Sequence, residues 1–135
     1  MAFHSNLIAE LEKYGVVMCS DDQLAQRFRE YIADSPCSVE FMAEHGLSLV
    51  FFFNQSEQPE ELTKFDGLCF KFDHSNGGPV VYAIGLSVKA IERGREYANE
   101  TWLHECAHVL HGLDHQAHDS RFREILRALQ KAAAI

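Results

Sequence analysis

The chain has 135 residues, of which 47% are hydrophobic, and this is enough for one domain with a substantial core. Its formal net charge is -8 with histidine counted as neutral. The acidic excess argues against a nucleic-acid-binding surface, because phosphate recognition needs clustered lysine and arginine. The sequence contains neither a signal-peptide pattern at its start nor an apolar stretch long enough for a membrane span, so we expect a cytoplasmic protein that binds neither nucleic acid nor membrane.

Four cysteines occur, and no two of them form a C-x-x-C pair. A zinc site made of cysteines is therefore not expected. Each lies among apolar residues, which favours free buried thiols over disulfides. The four are Cys19, Cys37, Cys69 and Cys106.

Residues 1–45 are predicted to be helical. Leu7 and Leu11 belong to a first helix that ends at Gly15. Ser20 is predicted to be the N-cap of a second helix, which runs to about Asp34. The Ser-Pro step that follows is predicted to close this helix.

Residues 46–87 are predicted to form a short, mostly antiparallel sheet. The segments 47–53, 68–72 and 80–86 are rich in aromatic and aliphatic residues, as strands are. The second and third strands are expected to pair as a hairpin across a turn at 73–79. His74 in that turn is predicted to be a solvated loop residue and not a ligand.

Residues 92–134 are predicted to form two helices. The first runs from about 92 to 111 and ends at Gly112. A loop at 113–117 leads to a last helix from about 119 to 133, whose apolar positions include Phe122 and Leu126. Helices, then strands, then helices predict a single α+β domain over residues 1–135.

The segment His104-Glu105-Cys106-Ala107-His108 is an H-E-x-x-H motif. On a helix, residues four apart leave the same face, so the two imidazoles can converge on one metal ion. Glu105 can then act as a base toward a water on that metal. The surrounding helix is strongly apolar, where such polar groups are costly unless they have partners. We therefore predict a zinc site with Glu105 as the catalytic residue.

A catalytic zinc ion usually takes a third protein ligand. His118 is the favoured one, because it precedes the last helix and because Phe122, one turn later, can anchor that helix in the core. His115 and Glu124 are the alternatives. The metzincin spacing is not met, since His111 stands where that pattern requires glycine.

Three further residues are candidates for a supporting role. His111 lies on nearly the same helical face as His104 but a full turn beyond His108, so it suits an indirect or substrate-facing role better than metal binding. It is equally well explained as a histidine favoured by the dipole at a helix C-terminus. His111, His115 and Tyr97 are candidate donors to the oxyanion of the reaction.

The motif helix and two flanking segments are Ile84-Gly85-Leu86-Ser87, Trp102-Leu103-His104-Glu105-Cys106-Ala107-His108 and His118-Asp119-Ser120-Arg121-Phe122. Together these three segments resemble those of SprT-like zinc metallopeptidases and of the related WLM and YgjP-type peptidases. This resemblance covers about residues 80 to 130 and implies a zincin-like domain that cleaves a protein or peptide substrate. It implies that His104, His108 and His118 bind Zn²⁺ and that Glu105 is the general base. It also implies that strand 80–87 lies beside the active-site cleft, where an extended peptide would add to the sheet.

Two other functions are compatible with the sequence. A regulatory peptidase of the ImmA/IrrE type would use an acidic third ligand, here Glu124. A non-catalytic peptide-binding module would hold a structural zinc ion with four protein ligands, the fourth supplied by His115 or Asp119.

Overall fold

The computed structural model describes residues 2–73, 79–112 and 118–133, and only the backbone of residues 2–6. The predicted turn residue His74 and the predicted loop at 113–117, with His115, lie outside the described residues.

Three helices precede the sheet: α1 (Ala2–Lys13), α2 (Asp22–Tyr31) and α3 (Val39–Glu44). They agree with the helical character predicted for residues 1–45, although α3 was not predicted. The predicted N-cap Ser20 was wrong. Asp21 caps α2, because its Oδ1 accepts hydrogen bonds from first-turn N–H groups.

The sheet consists of β1 (Leu47–Phe53), β2 (Gly67–Phe72) and β3 (Val81–Ser87), in the order β1-β3-β2. β2 and β3 form the predicted antiparallel hairpin. β1 pairs with β3 in parallel, so the sheet is mixed and the expectation of a mostly antiparallel sheet was wrong.

The central position of β3 explains this arrangement. Every residue of β3 is buried, whereas β1 and β2 carry partly exposed positions. Burial on both faces is typical of a central strand that has a parallel neighbour. The segment between β1 and β2 contains two short 3₁₀ turns, Gln55–Glu57 and Glu60–Leu62, and β2 then takes the opposite edge of the sheet.

Three helices follow the sheet: α4 (Val88–Glu92), α5 (Arg95–His111) and α6 (Ser120–Ala133). The sequence predicted one helix from about residue 92, but Gly94, with φ of 109°, separates α4 from α5. Gly112 ends α5 as predicted, in the left-handed conformation that glycine adopts readily.

Apolar side chains pack on both faces of the sheet. The larger cluster joins α2, α4 and α5 to one face, with Trp102 and Ile84 fully buried. The smaller cluster packs Leu11 and Val16 against Phe53 on the other face. Within the described ranges, no helix has the length and apolar character required to cross a bilayer. All four cysteines are free thiols, as predicted; two of them are buried, Cys37 and Cys106.

Candidate metal centre

The rotation of α5 about its own axis is fixed by the side of the helix that faces the core. Trp102 and Cys106 are fully buried on that side. The indole Nε1 of Trp102 donates a hydrogen bond of 2.8 Å to the carbonyl oxygen of Cys37. With these residues anchored, His104 and His108 project toward a cleft between α5, β2 and the start of α6.

Three imidazoles meet in this cleft. One nitrogen from each of His104, His108 and His118 lies within 4.8 Å of the other two. The ring centroids are 4.9, 5.1 and 5.0 Å apart, so the rings stand at the corners of a nearly equilateral triangle. The predicted ligands therefore lie together, although His118 is fourteen residues from His104 in the chain.

Phe122 forms the floor under the three rings. It is 2% exposed and stacks on His108 with a centroid distance of 4.4 Å. Its ring centroid is 5.1 Å from that of His104 and 4.9 Å from that of His118. Phe122 thus anchors α6 as the sequence predicted, and it also restricts the orientation of all three imidazoles.

His118 is held at the start of α6 by hydrogen bonds around the first turn. Asp119 Oδ1 accepts a hydrogen bond from the N–H of Phe122 at 3.0 Å and so caps the first turn of α6. The guanidinium of Arg123 donates to the carbonyl oxygen of His118 at 3.2 Å. The side chain of His118 itself is exposed, in contrast to that of His108.

Glu105 lies beneath β2 and is only 5% exposed. A Cβ atom added to Gly67, the first residue of β2, would lie 2.5 Å from Glu105 Oε2 and 2.9 Å from Glu105 Cγ. Only glycine therefore leaves room for this carboxylate at the strand. No described residue forms a hydrogen bond or an ion pair with Glu105.

Burial shifts the protonation equilibria of the motif. Burial raises the pKa of Glu105 to about 8. The pKa of His108 falls to about 4, mainly through burial and then through the neighbouring histidines. Burial and the nearby His118 lower the pKa of His104. The two imidazoles are therefore neutral at physiological pH and keep the lone pair that metal coordination requires.

The donor set fits a zinc ion. Nε2 of His104 and Nε2 of His118 are 3.2 Å apart. Two nitrogens bound tetrahedrally at about 2.0–2.1 Å from zinc would be about 3.3 Å apart. His108 Nδ1 is buried and has no hydrogen-bond partner among the described residues. Neutral imidazoles in this spacing suit a borderline-soft cation such as Zn²⁺ better than the hard cations, which prefer oxygen.

The cleft has a volume of about 590 Å³. Its wall is formed by Gly67, Leu68 and Cys69 of β2, not by β3. The implied location of the strand 80–87 at the cleft was therefore wrong, because β3 is hydrogen-bonded on both edges and β2 separates it from the cleft. The edge strand beside the histidines is β2.

Tyr97 lines the same cleft two turns before His104, and its hydroxyl donates a short hydrogen bond to Asp66 Oδ2. This hydrogen bond raises the pKa of Tyr97. The guanidinium of Arg93 lies 4.6 Å from the centroid of the tyrosine ring. Tyr97 thus lines the cleft with its hydroxyl group hydrogen-bonded to Asp66.

The remaining candidates lie elsewhere. His111 Nε2 is 3.0 Å from Asp119 Oδ1, and its side chain is 2% exposed, so it does not face the cleft. Glu124 is outside the histidine cluster and forms an exposed ion pair with Arg121 at 3.8 Å. His115 lies outside the described residues.

Two residues of the site were not predicted from the sequence. Asp66 binds Tyr97 and also accepts a hydrogen bond from Gln55 Nε2 at 3.2 Å, and Gly67 makes room for Glu105. The Asp-Gly step before a predicted strand is a turn signal, but only the packing of α5 against β2 gives it a role at the site.

A second groove, of about 760 Å³, lies between α2, α3 and β1. It is larger than the cleft, yet none of the predicted site residues lines it. The smaller cleft is the candidate site, because the histidine cluster and the carboxyl group with the raised pKa are there.

The chain matches no protein-family model, and comparisons with curated proteins and with solved structures find no similar protein. The resemblance to SprT-like and WLM-type peptidases therefore rests on the three sequence segments alone.

Proposed function

We propose that this protein is a zinc-dependent peptidase in which His104, His108 and His118 bind the metal and Glu105 is the general base. The observation that carries the proposal is the convergence of three histidine nitrogens within 4.8 Å, beside a buried carboxyl group and in an open cleft. Among the described residues three protein ligands meet in an accessible cleft, an arrangement characteristic of catalytic rather than structural zinc sites.

The zinc ion would supply Lewis acidity and would make a water molecule acidic near neutral pH. Glu105 would accept the proton of the attacking water and pass it to the leaving amine. Its position among apolar atoms under β2 excludes bulk water, which strengthens its electrostatic interactions. Because the carboxyl group has a pKa of about 8 without a nearby cation, it acts as a base at neutral pH only when a positive charge is close.

Tyr97 is the better placed of the two described candidates for stabilising the oxyanion. It lines the cleft, whereas His111 donates to Asp119. Its hydroxyl is oriented by Asp66 and would have to turn from that carboxylate toward the substrate.

The position of β2 supports a proposal for the substrate class. This strand is at the edge of the sheet and forms a wall of the cleft. An extended peptide that adds to the sheet beside this outer strand would lie across the histidines, as in strand addition. The proposed substrate is therefore an extended segment of a peptide or protein.

An acidic third ligand receives no support from the geometry. Glu124 lies in an exposed ion pair with Arg121 and outside the histidine cluster. The proposal of a regulatory peptidase that uses this residue as ligand is therefore the weaker one.

The test is cleavage of a random peptide library by the purified protein loaded with zinc. The wild type should cleave, and Glu105→Gln should lose about 10²-fold or more in rate while it retains zinc. Glu100→Gln, an exposed carboxylate on the same helix and at the same cleft, is the matched control and should remain active. Full activity of Glu105→Gln, or absence of zinc binding in the wild type, would refute the proposal.

A further inference from the structure

We propose that His111 and Asp119 form a latch, a hydrogen bond that positions His118 for metal binding before the metal arrives. The inference rests on the proposed zinc site and deepens it. It assigns His111 a positioning role through Asp119.

The latch joins the end of α5 to the start of α6. His111 Nε2 lies 3.0 Å from Asp119 Oδ1. An N–H at Nε2 donates along this line in the neutral Nε2 tautomer and in the imidazolium alike. The contact ties the last residue of α5 to Asp119, the residue next to His118.

The burial of His111 makes this hydrogen bond unusually important for its orientation. Its side chain is 2% exposed, and its Nδ1 is buried without a hydrogen-bond partner among the described residues. A buried imidazole with one unpaired nitrogen is costly, so Asp119 is the interaction that retains it in this orientation. A histidine present only to complement the helix dipole would be expected in contact with solvent.

Asp119 transmits the position of His111 to the third ligand. The same Oδ1 atom that contacts His111 accepts a hydrogen bond from the N–H of Phe122. One oxygen atom therefore links the end of α5 to the first turn of α6. Phe122 in turn contacts the rings of all three proposed ligands. Loss of the latch would leave α6 capped but would release His118 and Asp119 from the end of α5.

Ligand orientation by neighbouring groups is worth roughly 10–100-fold in metal affinity at known zinc sites. His104 and His108 need no such support, because they share one helix. We therefore expect the latch to act on His118 alone, and to act on affinity for the metal.

The experiment measures the zinc affinity of the purified full chain by competition with a chelator, for two variants at one position. In His111→Gln the amide nitrogen can reach the place of Nε2, whereas in His111→Asn it falls short. We expect His111→Asn to bind zinc at least about 10-fold more weakly than the wild type and His111→Gln to remain within about 3-fold.

Asp119→Ser tests the same contact from the other side. Serine retains a helix-capping oxygen but is too short to reach His111, so zinc affinity should again fall about 10-fold. Asp21→Ser is the matched control, because Asp21 caps α2 in the same way and far from the cleft. It should leave zinc affinity unchanged. If His111→Asn does not fold, Asp119→Ser provides the test alone.

Cobalt substitution supplies a second readout. The d–d absorption of Co²⁺ reports coordination number and geometry, so His111→Asn should show the spectrum of a site with a loosened third ligand and resemble His118→Ala. A merely structural role for His111 would lower thermal stability and leave this spectrum unchanged.

The outcomes distinguish the two proposals. Wild-type zinc affinity and an unchanged Co²⁺ spectrum in His111→Asn would overturn the latch and leave the zinc site intact. A wild type that binds no zinc, or a His118→Ala variant that binds zinc normally, would overturn the proposed site and the latch with it.

Discussion

The two halves of the histidine cluster are built in different ways. His104, Glu105 and His108 lie on one helix, where a four-residue spacing brings the two imidazoles to one face. His118 comes from outside that helix and is exposed, and its position depends on Asp119 and Phe122. The first half is determined by local spacing, and the second half by tertiary contacts.

The energetic consequences differ as well. The half on α5 is buried in apolar surroundings, which shift the pKa of Glu105 upward and that of His108 downward. Polar groups in such a place destabilise a protein that holds no metal. The half that carries His118 adds no comparable cost, because its imidazole is exposed. Stability without metal and affinity for metal should therefore respond differently to changes in each half.

The largest effect is expected where the two halves meet, at Phe122. Phe122→Ala removes a 2%-exposed ring that contacts all three imidazoles, and it should reduce the free energy of unfolding by about 3–5 kcal/mol. Phe65→Ala is the control, because Phe65 is 43% exposed at the rim of the same cleft and should change stability by less than about 0.5 kcal/mol. Urea denaturation of the metal-free protein measures both. Equal losses of stability in the two variants would mean that Phe122 is not the packing contact between the two halves of the histidine cluster.

The second effect is a pH dependence of stability that arises from Glu105 on α5. The pKa of Glu105 is about 8 in the folded protein, above its ordinary value of 4.5. Between these values the folded state binds more protons than the unfolded state, so the contribution of Glu105 to stability is present below about pH 4.5 and is lost as pH rises through 8. Glu105→Gln has no carboxyl group at this position, so it does not lose this stability as the pH rises. It should be more stable than the metal-free wild type by on the order of 5 kcal/mol at pH 9 and by little at pH 4.5.

Denaturant unfolding across this pH range, with a chelator present, measures the gap between the two proteins. Glu100→Gln, whose side chain is exposed on the same helix, serves as the control. A gap between wild type and Glu105→Gln that stays constant from pH 4.5 to 9 would contradict the burial of an uncompensated carboxyl group.

A smaller effect is expected at the contact between α5 and β2. Gly67→Ala places a methyl group 2.5 Å from Glu105 Oε2 and 2.9 Å from Thr101 Cγ2, and should cost about 1–3 kcal/mol of stability. The cost should fall in a Glu105→Ala background, because the carboxylate is then absent. A double-mutant cycle measured by thermal unfolding checks this, and full additivity would argue against the contact.

How much of the fold and of the candidate site the sequence predicts depends on whether the interactions involved are local or long-range. The H-E-x-x-H spacing predicts two ligands and the base because their geometry is local to one helix. The strand bounds 47–53 were also predicted correctly, since aromatic and aliphatic residues follow one another there. His118 was favoured from its place before an amphipathic helix, and the geometry brings it to the cluster.

The features that the sequence did not predict depend on long-range pairing. The parallel alignment of β1 with β3 arises from the path of the chain between β1 and β2, which carries no distinctive periodicity. The proximity of Gly67 to Glu105 and of Asp66 to Tyr97 exists only once β2 has packed beside α5. The contact between His111 and Asp119 likewise joins residues whose spacing alone assigns them no partner.

The smallest effect compares His108 and His118 directly. At pH 7.5 in the metal-free protein, His108→Leu removes a buried, unpaired Nδ1 and should stabilise by about 1 kcal/mol, whereas His118→Leu at an exposed position should change stability by less than about 0.5 kcal/mol. Both variants should lose zinc binding. At pH 5 the advantage of His108→Leu should grow, because the unfolded wild type takes up a proton on this histidine between pH 6.5 and 4 while the folded state, with a pKa of about 4, does not. Chemical denaturation at the two pH values measures this change, and a destabilised His108→Leu would show that the α5 half is favourable even without its metal.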